Sequence, residues 1–125
     1  MREAVTTDKA PRPIGPYSQA IVEGDLLFLA GQGPLDPATG ATDRGSIASQ
    51  TQRTLDNIRA ILEAAGSSLD KVIRCTVYLK DIGDFAAMNE VYARAFAAPY
   101  PARTTIQAGA LPGGIAVEIE CVARR

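Results

Sequence analysis

The stretch "PYPARTT", residues 99–105, carries one permanent charge, Arg103, between a proline-rich turn and a run, "RTTIQAG", that reads as a strand. A guanidinium presents five N–H donors in one plane, a fork that fits a carboxylate better than an ammonium does. Further on, "AVEIECVARR" alternates so that Glu118 and Glu120 share one strand face, while Arg103, Thr105 and Gln107 share a face of theirs. If "AGALPGGIA" closes these two strands as an antiparallel hairpin, an arginine and a carboxylate can face each other across the pair. Two chemistries fit that geometry. One is a cross-strand salt bridge, contributing about 0.2–1 kcal/mol. The other is an anion site, in which Arg103 holds a carboxylate through charge-assisted bonds of roughly 1.5–3 kcal/mol each and Glu118 serves a water.

The sequence has no histidine. Ser-His-Asp and Cys-His nucleophiles and the usual His-containing zinc sites are therefore excluded, and acid–base work falls to carboxylates, tyrosines, lysines or a held water. Tyr17, in "IGPYSQA", follows a Gly-Pro pair and reads either as an aromatic cover on the core or as a group at a site. Asn89 lies one turn beyond Phe85, beside an apolar helical stripe, where an amide needs partners or water. "GALPGG" has neither the Lys-Ser/Thr pair nor the following helix of a phosphate-cradling loop.

These residues need a scaffold. Residues 2–7 suit a short edge strand, and the proline-rich "KAPRPIGP" enforces an extended loop. "YSQAIVEGDLLFLAG" reads as two strands turned at "EGD". From Ser46, an N-cap, to Ala65, the positions Ile47, Leu55, Ile58 and Leu62 form one helical stripe that stops at Gly66. "KVIRCTVYLKD" places Ile73, Cys75, Val77 and Leu79 opposite Arg74, Thr76 and Tyr78. Asp84 is placed to cap a second helix through Phe85, Met88, Tyr92 and Phe96. The order implies an α+β fold, one sheet with both helices on a single face. Parity points Val117, Ile119, Cys121 and Ala123 at the helices and leaves Arg103 and Glu118 on the uncovered side, a mixed face suited to a subunit interface.

With 125 residues and 46% hydrophobic content, the chain is expected to be a single domain, 1–125. A net charge of -1 supplies no global positive field for a nucleic-acid backbone, so nucleic acid is not an expected partner. Cys75 and Cys121 sit in apolar runs and read as reduced core thiols in a cytoplasmic protein; no apolar leader or membrane span is expected.

Taken together, "IGPYSQA", "LAGQGPLDPATG", "PYPARTT" and "ALPGGIAVEIECVA" resemble the Rid family, the reactive intermediate deaminases also called the YjgF family, over essentially the whole chain. The resemblance implies a chorismate-mutase-like (YjgF-type) α+β fold with one mixed sheet, assembled as a homotrimer whose sheets line a central barrel and whose sites lie between subunits. It implies hydrolysis of 2-imino acids derived from 2-aminoacrylate and 2-aminocrotonate to 2-keto acids and ammonia, without cofactor or metal. Carried over by motif, Arg103 would clamp the substrate carboxylate and Glu118 would handle the attacking water and the protons of departing ammonia. Tyr17 would close over the ligand, Gly31 would present backbone, and Asn89 would support the site. Two positions depart: Ala30 stands where many members have serine, and Thr105 where they have cysteine, leaving Thr105 a substrate-side hydroxyl. Other readings are a module that binds small carboxylates or hydrophobic clients without turnover, and an endoribonuclease or translation inhibitor. The last fits poorly with a neutral, histidine-free chain.

Overall fold

The computed structural model describes residues 2–125. Six strands form one mixed sheet: β1 (Glu3–Val5), β2 (Ala20–Glu23), β3 (Leu26–Gln32), β4 (Val72–Leu79), β5 (Ala102–Gln107) and β6 (Val117–Arg124). Two helices, α1 (Ile47–Ala64) and α2 (Phe85–Ala95), complete the α+β architecture. The spatial order is β1-β2-β3-β6-β4-β5, so β1 and β5 are the edges.

Local chemistry explains most boundaries. Gly24, at φ 59°, turns β2 into β3 in the two-residue space between the partners Glu23 and Leu26. Ser46 caps α1 by accepting from the Ser49 N–H, and Gly66 ends it at φ 79° while the Ser67 N–H donates to the Leu62 carbonyl. Asp84 occupies the N-cap position of α2 but makes no side-chain cap bond. Asp81 does the capping instead, accepting from Gly83 at the start of a 3-10 turn that leads into the helix.

Alternation in β6 holds throughout: Val117, Ile119, Cys121 and Ala123 are buried against the helices. In β4 the pattern fails at one end. A register shift between Val72 and Arg74 turns Val72 inward and leaves Ile73 exposed, because a bulge inserts one residue and flips the parity before it. The core cluster joins these strands to Leu55, Ile58, Ile61 and Leu62 of α1 and Met88, Val91 and Tyr92 of α2.

The expected β5–β6 hairpin does not form. β5 runs parallel to β4, with α2 as the crossover between them, and β6 lies antiparallel between β3 and β4. Parallel strands need a crossover connection, which α2 supplies, whereas the segment after β5, with Gly113 and Gly114 at positive φ, carries the chain past β4. Arg103 and Glu118 are thus not cross-strand neighbours. Register places Arg103 beside Cys75, and Cys75 beside Cys121, both buried on the helix side. Arg103 therefore faces α2, not the uncovered face on which parity alone had put it.

Candidate active site

Glu118 projects from β6 onto the open face, opposite Tyr78 of β4. Burial, and then the charge of Glu120, hold its carboxyl above the usual carboxylate range. The neighbouring strand β3 slips register between Leu29 and Gln32, and this irregularity holds Ala30 and Gly31. Gly31 lies against Glu118 closely: a Cβ there would sit 2.5 Å from Oε2 and 2.9 Å from Cδ. Only a residue without a side chain admits the carboxylate in this position.

A cleft of about 570 Å3 opens beside the pair, lined by Pro11, Ile14, Tyr17, Gly31, Ile115 and Glu118 among others. Its outer wall is the proline-rich loop. Buried Gln19 holds that loop in place: its Oε1 accepts from the Thr7 N–H at 2.8 Å, and its Nε2 donates to the carbonyls of Thr7, Ala10 and Pro11. Tyr17 is 49% exposed and its hydroxyl accepts from the Ile14 N–H, so the ring belongs to the cleft and not to the core. On the opposite side, Asn57 donates from Nδ2 to the carbonyls of Gly33 and Leu35, fixing the chain that leaves β3.

The second group of residues is carried by β5 and α2. The Arg103 guanidinium carbon lies 4.7 Å from the centroid of Tyr92 and 5.5 Å from that of Phe85, with Nη1 4.0 Å from the sulfur of Met88. The two rings meet the flat face of the guanidinium and orient it without using an N–H donor, while Nη1 donates to the Met88 sulfur. On the same two elements, Asn89 Oδ1 and Thr105 Oγ1 are buried without a hydrogen-bond partner among the described residues. Buried polar atoms are ordinarily paired, so this edge holds unspent hydrogen-bonding capacity around a fixed positive charge.

The structure thus gathers Tyr17, Gly31 and Glu118 at one cleft and carries Arg103, Asn89 and Thr105 on the β5–α2 layer, with β4 separating β5 from β6. It does not bring Arg103 to Glu118. The aromatic seat of Arg103 was legible only as a core stripe, since Phe85, Met88 and Tyr92 carry helical spacing and nothing in that spacing names an arginine above them. Gln19 and the Tyr78 contact with Glu120, at 2.6 Å, carried no signal without the strand order. Among the described residues, no group of three His, Cys, Asp or Glu is placed to hold a metal ion, and no helix is long and apolar enough to cross a membrane.

The model of the family described as Endoribonuclease L-PSP matches residues 7–125. A RutC family protein of Pyrococcus horikoshii is 55% identical over 98% of each chain. A 2-iminobutanoate/2-iminopropanoate deaminase of Bos taurus is 43% identical over 98% of this chain and 90% of its own. The crystal structure of RidA from an Antarctic Psychrobacter superposes with a TM-score of 0.95 at 43% identity, covering 99% of this chain and 100% of that one. With family match, sequence identity and fold agreeing along nearly the whole length, the chain belongs to the Rid family, the YjgF and RutC group of proteins.

Proposed function

We propose that the protein hydrolyses small 2-imino acids to 2-keto acids and ammonia, at sites formed between the subunits of a homotrimer. The observation that supports it best is the division of the site. Glu118 lies in a cleft on the open side of the sheet, whereas Arg103 waits on the other side of the β5 edge, among polar atoms without partners. A second copy that sets its β5 edge against this cleft completes the constellation. Arg103 then clamps the carboxylate of the imino acid, with Asn89 and Thr105 as further hydrogen-bonding groups, and Tyr17 and Gly31 border the imine carbon. The relative named as a 2-iminobutanoate/2-iminopropanoate deaminase supports the same substrate class.

The chemistry asks for one proton carrier. The Glu118 carboxyl donates its proton to the imine nitrogen, giving an iminium and a carboxylate. Water then attacks the iminium carbon while the carboxylate takes one of its protons, and the carbinolamine forms. Glu118 next protonates the amino group, the C–N bond breaks, and the hydroxyl proton returns to Glu118 as the carbonyl forms. Ammonia leaves and the carboxyl is protonated again. An imine carbon is already electrophilic, so positioning and one acid–base group, contributing typically ~10²–10⁴-fold, suffice.

The test is an imine-trapping assay. An amino-acid oxidase generates 2-iminobutanoate, semicarbazide traps it, and the protein is expected to suppress the semicarbazone. Arg103→Ala, losing bonds of roughly 1.5–3 kcal/mol each, is expected to lower kcat/KM by about 10²-fold or more. Suppression by the wild type no better than by Arg103→Ala contradicts the proposal; keto-acid binding without turnover would select a binding module. The description of the matching family model raises ribonuclease activity as a second reading. A chain with net charge -1 and no histidine offers RNA neither a net positive charge nor the usual acid–base residue.

A further inference from the structure

Glu118 is one of three interacting groups on its face. Glu120 follows two residues along β6 and points the same way, while Tyr78, paired directly with Glu118 across β4 and β6, reaches diagonally so that its hydroxyl donates to Glu120 Oε1 at 2.6 Å. We infer that Tyr78 and Glu120 form a positioning pair that sets a fixed negative charge beside Glu118 and so keeps the proton on Glu118 at the start of each turnover. The inference rests on the deaminase reading, because only a reaction that begins by protonating the imine nitrogen needs that proton held.

Within one chain few charges compete; the cation that opposes the pair is the Arg103 guanidinium of the second copy that the proposed function sets at this cleft, which favours the carboxylate form of Glu118. From β3, Gly31 presents no side chain, and Phe28 on the same side of that strand is apolar. From β4, Arg74 turns its Nη2 to the Thr104 hydroxyl at 3.4 Å. The cleft adds Arg12 and the Tyr17 phenol at its outer wall. A hydroxyl that donates to a carboxylate pins it in place, whereas a free glutamate two residues along a strand can swing its charge into water. Burial of Glu118 weakens screening between the two carboxylates, and both effects act on its carboxyl in the same direction, upward. The Tyr78 phenol is itself pushed up, first by the bond to Glu120, so it remains a donor across the working pH range.

Two isosteric variants, Glu120→Gln and Tyr78→Phe, test the pair. Carboxyl resonances of Glu118 are followed by NMR against pH in the whole ligand-free protein, and kcat/KM against pH in the imine-trapping assay. Glu120→Gln is expected to move the Glu118 midpoint down, and Tyr78→Phe to move it the same way by less, with the alkaline fall of kcat/KM moving in step. An unchanged Glu118 midpoint in both variants, with only thermal stability lowered, overturns the inference and makes the contact a structural cross-strand bond. The titration needs no turnover, so an inactive wild type would sink the deaminase reading while the NMR result still decides whether the pair acts on Glu118.

Discussion

Gly31 and Glu118 share one surface, and the space Gly31 leaves is the space the carboxylate occupies. Gly31→Ala is accordingly expected to displace the carboxylate and lower kcat at least tenfold with little change in melting temperature, since the side chain meets a mobile carboxylate and not backbone. Kinetics and a melting curve on one preparation check both halves. Glu118 itself links function to stability. Its pKa is raised in the folded chain, so the stabilisation it allows is complete below the unfolded carboxylate range and is lost as pH rises through the folded value. Glu118→Gln removes that loss. It is expected to lower turnover ~10²–10⁴-fold while raising the melting temperature at neutral pH, with the gain disappearing in acid. A fall in melting temperature at pH 7 would contradict this placement of the charge.

Among the elements, β6 and α1 were readable because their period and caps agree: Val117 to Ala123 alternate without interruption, and Ser46 and Gly66 bracket one stripe. The order of the strands was not readable. A proline- and glycine-rich connection such as residues 108–116 is compatible with a hairpin or with a chain that passes over a neighbouring strand, and only the pairing of β5 with β4 decides between them. That choice moved Arg103 to the opposite face from the one its parity suggested. The Ile73 reversal has the same origin, since a bulge leaves no mark in residue type. The loop of residues 7–17 depends on Gln19 alone for four hydrogen bonds to Thr7, Ala10 and Pro11. Gln19→Leu keeps the volume and removes those bonds, and is expected to destabilise the chain by about 1–3 kcal/mol. Loosening the Tyr17 wall should raise KM more than it lowers kcat; denaturant unfolding and steady-state kinetics measure the two effects.

At the scale of the whole molecule, one chain keeps the two groups of the proposed site, Arg103 and Glu118, apart. The open sheet face exposes Phe28 and Ile106 beside its polar residues, and β5 leaves an unpaired strand edge. Both features suit closed association with further copies of the same chain, the arrangement on which the proposed function depends. Its most direct test is complementation between two inactive variants. Arg103→Ala and Glu118→Gln subunits are dissociated, mixed in equal amounts and reassembled, then assayed for imine hydrolysis. If each site takes Arg103 from one subunit and Glu118 from another, random mixing restores intact sites up to about a quarter of wild-type activity. Mixed oligomers that form, as mass spectrometry would show, yet recover no activity would contradict a site shared between subunits.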